Sequence, residues 1–127
     1  IVGVPLMKNG WDVSWLGSQL GWLNGTAYPS LDGNSVLTGH VYLPNGKPGP
    51  LVDLKKLAWN DKLVLHIGDL EYVYQVRQVR RVKPEQMSIL DHSDRAWLTL
   101  LTCQGYDEAS EEYAYRQVVR AVLVEIR

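Results

Sequence analysis

An all-β domain, a closed barrel of about seven to eight strands with one or two short helices, is predicted by three features of this sequence. First, its 127 residues suit one compact domain, and 11 Gly and 6 Pro fall as punctuation between short apolar runs. Second, apolar and polar residues alternate through 62–76 and again through 113–127, the period of a half-buried strand. Third, the stretch from Trp97 to Cys103 is apolar on both faces, as in a strand covered on both sides. Many short strands leave exposed edges, and closure into a barrel removes them.

Taken in order, Trp11, Trp15 and Trp22 with Leu16, Leu20 and Leu23 recur at helical spacing after Asp12, a candidate N-cap. One short core-facing helix is expected there, although Gly17 and Gly21 weaken it. Residues 24–34 are loop chemistry, and Ser35 to Thr38 reads as a strand ended by Gly39-His40. Asn45-Gly-Lys-Pro-Gly-Pro50 is a second loop, before a helical turn through Leu51, Leu54 and Leu57 and a tight turn at Asn60-Asp61.

Gly68-Asp69 separates two alternating runs, 62–67 and 70–76, and predicts a hairpin. In its second strand Leu70, Tyr72, Tyr74 and Val76 share one face, but the apolar phase then moves to Val79 and Val82. A one-residue phase change exchanges the faces, so a bulge is expected near Gln78. Lys83-Pro84 stops the strand, and residues 85–94 form a connecting loop with a helical turn near Met87 to Leu90. A polar loop over 104–112 leads to the last strand. Val118, Val122, Val124 and Ile126 lie on one of its faces, and Tyr115, Val119, Ala121 and Leu123 on the other.

Charge excludes several functions. Thirteen basic residues against 14 acidic give a net charge of −1, without the basic footprint of a nucleic-acid or anionic-membrane binder. A single Cys forms neither an internal disulfide nor a multi-Cys zinc site. No apolar run approaches the roughly 20 residues that span a bilayer. The first residue is Ile rather than Met, so a domain excised from a longer chain is expected.

Cys103 is the foremost candidate for chemistry, because a strand end opening onto a loop presents a thiolate from a rigid backbone. A lone Cys also suits a small buried hydrophobe. A nucleophilic thiol needs a partner that takes its proton, usually His. His66 lies between Leu65 and Ile67 and reads as structural, and His92 sits among polar loop residues. His40 ends a strand as Cys103 does and is the best partner. Acyl transfer further needs a donor for the developing oxyanion. Lys55, Lys56, Lys62, Arg77, Arg80 and Arg81 read as solvated. Arg116 lies near the start of the strand expected to pair antiparallel with the Cys103 strand, which would bring the two close.

Thr99-Leu100-Leu101-Thr102-Cys103 resembles the Thr-Leu-x-Thr-Cys signature of sortases, the cysteine transpeptidases of bacterial cell surfaces. Thr38-Gly39-His40 is similar to the family's small-Gly-His strand end, and Arg116-Gln-Val-Val-Arg-Ala121 resembles its Arg-x-x-x-x-Ala strand. The order His, Cys, Arg and the thirteen-residue step from Cys103 to Arg116 agree with class A-like members. Val82-Lys83-Pro84 followed by Leu90-Asp91 is similar to the family's groove-wall loop. The resemblance runs from about Leu20 to the C-terminus.

The resemblance implies that Cys103 is the nucleophile, His40 its acid/base partner and Arg116 the residue holding substrate and oxyanion. Thr102 would assist the oxyanion, and Thr38, Met87, Ile89, Leu90, Leu101 and Val118 would line the groove for the sorting peptide. It implies cleavage of a Leu-Pro-x-Thr-Gly-like signal on secreted proteins and transfer to an amine acceptor, a peptidoglycan precursor or pilin lysine, with no metal or organic cofactor. Calcium-stimulated class A members carry an acidic cluster; here Tyr28 and His92 stand at two of its places and only Asp32 remains, so calcium stimulation is not expected. The family's Ile-Pro-containing first strand precedes the segment resembling residues 1–5. The expectation is therefore a single catalytic domain over 1–127 lacking that strand and an N-terminal membrane anchor, working at the extracellular face of the bacterial membrane.

Two alternatives stand beside this one. The domain could be a non-catalytic β-barrel binding module with Cys103 buried and inert. Ile1-Val2-Gly3 looks like the activated N-terminus of chymotrypsin-like proteases, but no Gly-Asp-Ser-Gly-Gly motif follows and the length is about half that of two barrels, which excludes it.

Overall fold

The computed structural model describes residues 1–7, 10–11, 15–29, 31–43, 45–82, 95–102 and 116–127. Among the described residues nine strands follow one another: β1 (Val2–Val4), β2 (Leu6–Met7), β3 (Gly10–Trp11), β4 (Gly21–Leu23), β5 (Gly33–Gly39), β6 (Lys62–Ile67), β7 (Leu70–Val82), β8 (Ala96–Thr102) and β9 (Arg116–Ile126). The helical turn expected near Leu54 is present as one 3₁₀ turn over Leu54–Lys56. Seven strands make one sheet in the order β1-β4-β5-β8-β9-β7-β6, and β2 and β3 pair separately. The large sheet curls into a half-barrel, so the all-β expectation holds.

The hairpin is as the sequence implies. β6 and β7 pair antiparallel from Lys62↔Gln75 to Ile67↔Leu70 around Gly68, whose φ of 59° is the left-handed conformation that glycine adopts without penalty. Asn60 supplies the preceding turn at φ 78°, and its Oδ1 accepts hydrogen bonds from Gln75 Nε2 and Arg77 Nη1. β7 also pairs with β9, and the register slips between Val73 and Tyr74 and again between Val76 and Gln78. The second slip is the expected bulge. It lets β7 bury Tyr74 and Val76 in one half of the strand while Gln78 and Arg80 oppose Arg120 and Val118 in the other.

β5, β8 and β9 are apolar on both faces and separate two cores. On one face Leu37, Leu98, Leu100, Val119 and Ala121 pack with Tyr74, Val76 and the Leu51–Leu54 turn. On the other, Val36, Leu101 and Val118 pack beneath Val4, Leu16 and Leu23. Each such side chain, removed from water, contributes about 1.5–3 kcal/mol.

The helix expected through Trp11 to Leu23 does not form among the described residues, 11 and 15–23. Trp11 ends β3, and Gly21–Leu23 is β4, which pairs parallel with β1 (Val2↔Gly21, Val4↔Leu23) and antiparallel with β5. Gly21 explains the outcome, since a Cβ there would lie 2.6 Å from Val4 Cγ2 and 3.1 Å from Leu16. The glycine permits close sheet packing, and with Gly17 at φ 59° it disfavours a helix. The Trp stripe consequently splits. Trp15 is 51% exposed, whereas Trp22 packs against the first core, donates Nε1–H to Ala27 O at 3.0 Å and meets Tyr28 edge-on.

Candidate active site

β5 and β8 run parallel and in register from Gly33↔Ala96 to Gly39↔Thr102. Parallel neighbours end at the same edge of a sheet, so Gly39 and Thr102 close their strands side by side at that edge. β9 runs antiparallel to β8 (Leu101↔Val118), and its first residue, Arg116, pairs with Val82 of β7. The strand ends carrying His40 and Arg116 thus gather at one edge, which is the antiparallel arrangement expected for β8 and β9. Cys103 and the expected groove residues Met87, Ile89 and Leu90 lie outside the described residues, as does His92.

Two threonine hydroxyls fasten this edge. Thr38 Oγ1 donates to Leu101 O at 2.8 Å, tying β5 to β8, and Gln117 N–H donates to Thr102 Oγ1 at 3.0 Å, tying β9 to β8. Both threonines are buried, at 3% and 5% exposure. Leu101 and Val118 are buried in the second core beneath Val4, Leu16 and Leu23. Because a strand amide loses its acceptor in Thr102→Val, that variant should lose about 1–3 kcal/mol in urea unfolding, while Thr102→Ser keeps most of the stability. Equal stability of the Val variant and wild type would contradict this assignment.

His40 is half-buried, and its Nε2 is buried with no hydrogen-bond partner among the described residues. Buried polar atoms are nearly always paired, and the exceptions concentrate at working sites. The backbone of His40 is, in contrast, firmly held. Its carbonyl accepts from Leu51 N at 3.1 Å, and Gly49 N donates to Val41 O at 2.8 Å. A Cβ on Gly49 would lie 2.2 Å from His40 O, so only glycine fits there. This clamp at Pro48-Gly49-Pro50 escaped the sequence reading, which saw only a loop; a glycine between two prolines was the available signal.

His66 departs from expectation: it is exposed and lines a cleft of about 480 Å³ between β1 and β6, with Val2, Trp22, Tyr28 and Leu65. Ladder positions on an end strand alternate between core and solvent, and Leu65 rather than His66 takes the core side. None of His40, Thr102 or Gln117 lines that cleft.

Known proteins share both the sequence and this topology. Sortase A of Bacillus anthracis is 32% identical over 82 residues, which is 64% of this chain and 38% of that protein. Among solved structures, sortase A of Corynebacterium diphtheriae (a lid mutant) superposes with a TM-score of 0.75 at 28% identity, over 91% of this chain and 61% of that one. Sortase C1 of Streptococcus agalactiae gives 0.74 at 31%, over 91% and 58%. Clostridium perfringens sortase C, solved with the C-terminal cell wall sorting motif, gives 0.73 at 33%, over 91% and 61%. The chain therefore spans about two-fifths of the curated relative and about three-fifths of these solved chains. A family model described as the sortase domain matches residues 2–124, nearly the full length, and the chain belongs to the sortase family.

Proposed function

We propose that the domain is a cysteine transpeptidase that cleaves a Leu-Pro-x-Thr-Gly-like sorting signal and passes the acyl group to an amine, a peptidoglycan precursor or a pilin lysine. The observation that carries this reading is the register Gly39↔Thr102, which sets side by side the two strand ends that precede His40 and Cys103 in sequence, combined with the Nε2 of His40, buried with no partner among the described residues. A similar protein, the Clostridium perfringens sortase C, was solved with a sorting motif, which supports the peptide substrate class.

In this mechanism the Cys103 thiolate attacks the Thr carbonyl carbon and the carbonyl electrons move to oxygen, where Arg116, aided by Thr102, offsets the negative charge. The tetrahedral intermediate collapses with cleavage of the Thr–Gly bond. The imidazolium of His40 protonates the departing amine, leaving a thioester on Cys103 and a neutral imidazole. The incoming amine attacks the thioester, His40 takes its surplus proton, and the thiolate is released. Every step is supplied by side chains, so no metal or organic cofactor enters and calcium stimulation is not part of the proposal. Met87, Ile89 and Leu90 line the groove, and Thr38, Leu101 and Val118, which are buried, support it from beneath. The setting is the extracellular face of a bacterial membrane.

The test is mass spectrometry of the protein mixed with a sorting-peptide library and candidate amines. A thioacyl adduct mapped to Cys103, and peptide–amine products, are expected. Inertness of Cys103 towards both peptide and a thiol label at neutral pH would instead identify a non-catalytic binding module.

A further inference from the structure

The face of the sheet that carries Val118 and Leu101 continues, two residues away from the catalytic edge, into a cationic patch. On β9, Val118 and Arg120 share a face; Val118 is paired with Leu101 and Arg80, and Arg120 with Thr99 and Gln78. Arg80 and Arg120 are thus diagonal neighbours across the β7–β9 ladder, a separation of about 7–8 Å.

Arg120 is held in place from below. Its guanidinium carbon lies 4.6 Å from the centroid of the Trp97 ring, and its Nε donates to Thr99 Oγ1 at 3.4 Å. Thr99, fully buried, donates its own hydroxyl to Asn34 Oδ1. This arrangement uses one face and one N–H of the guanidinium, and the terminal Nη groups have no acceptor among the described residues. The ion pairs of the described residues join Lys56 to Asp53 and Arg127 to Glu71 and Glu125, and none reaches Arg80 or Arg120. Burial, and next the neighbouring charge of Arg80, lower the proton affinity of Arg120 from its ordinary value. A half-buried cation facing a like charge is disfavoured, and an anion set between the two relieves both penalties.

We propose that Arg80 and Arg120, the latter positioned by Trp97 and Thr99, form a subsite for a carboxylate side chain of the peptide substrate. The proposal rests on the transpeptidase reading, which holds the reacting carbonyl at the sheet edge where β9 begins and leaves the flanking peptide within reach of exposed Arg80 and half-buried Arg120. The planar fork of a guanidinium matches a carboxylate with two parallel hydrogen bonds, and Trp97 offers an apolar flank to the chain that bears it. Arg120 lies four residue steps along β9 from Arg116, a span of about 13 Å. An extended peptide covers that span in about four residues, so the acidic residue lies within about four positions of the reacting carbonyl.

The experiment measures binding to Cys103→Ala protein, which removes the nucleophile and prevents turnover. The probes are Leu-Pro-x-Thr-Gly-type peptides in which one Glu is walked in place of Gln through x and the four positions on either side of the motif. Titration calorimetry gives the dissociation constants, and the indole N–H resonance of Trp97, assigned with Trp97→Phe, locates the site. At one position Glu is expected to bind about tenfold tighter than Gln, the strength of a hydrogen bond to a charged group, and to shift the Trp97 resonance. Arg80→Gln and Arg120→Gln should each erase that difference while the Gln peptides bind as before; Arg80 is exposed, so its variant does not disturb the fold. Equal binding of Glu and Gln peptides at every position, or a Glu preference that survives both variants, overturns the inference alone. Failure of every peptide to bind overturns the transpeptidase reading and this inference with it.

Discussion

His40→Ala is expected to lower kcat/KM for sorting-peptide cleavage by about 10²–10⁴-fold, the usual range for a lost general acid–base group, while changing the unfolding free energy by less than about 1 kcal/mol. The two halves of this prediction come from the same observation. Nε2 of His40 is buried without a partner among the described residues, so its removal breaks no hydrogen bond to any of them. The backbone of His40 carries the local structure through its carbonyl, and alanine retains that carbonyl. Parallel assays of cleavage and urea unfolding decide the matter. A histidine serving only the fold would give the opposite pattern, with stability falling and turnover preserved.

How much of this site could be read from sequence depended on the range of the interactions involved. The hairpin at Gly68-Asp69 and the β7 bulge were legible because alternation and turn chemistry are local signals, and both lie within about fifteen residues of chain. The ends of β5, β8 and β9 were legible as candidates because His40, Cys103 and Arg116 each adjoin an apolar run. The parallel pairing of β5 with β8, which bonds residues more than sixty positions apart, has no local signature. The segment from Trp11 to Leu23 misled for a related reason. Trp and Leu at three- and four-residue intervals fit a helix by period, but the deciding contact is Gly21 against Val4, a tertiary approach that overrides propensity. Arg80 similarly read as one of a solvated group, since its relation to Arg120 exists only after the second bulge brings both to one face.

Gly49→Ala should damage catalysis from outside the reacting groups. The added Cβ would stand 2.2 Å from His40 O and 2.8 Å from His40 C, and neither is the movable tip of a side chain. Restoring an ordinary contact requires the Pro48-Gly49-Pro50 segment or the His40 peptide to move by about 1 Å, and a misplacement of that size costs a catalytic group about 10²-fold. If the loop moves, the bonds Gly49 N–H to Val41 O and Leu51 N–H to His40 O are weakened, a loss of about 1–3 kcal/mol in stability. The expected result is a kcat lower by about 10²-fold, with KM changed much less because the added Cβ presses on His40 and not on the β8–β9 pair. Gly46→Ala is the matched control. Gly46 adopts φ 83° in the same loop with no atom within 4 Å of an added Cβ, so that variant carries backbone strain without pressing on His40. It should lose stability and keep its activity. If Gly49→Ala turns over within threefold of wild type, or if Gly46→Ala loses activity equally, the loop does not set the position of His40.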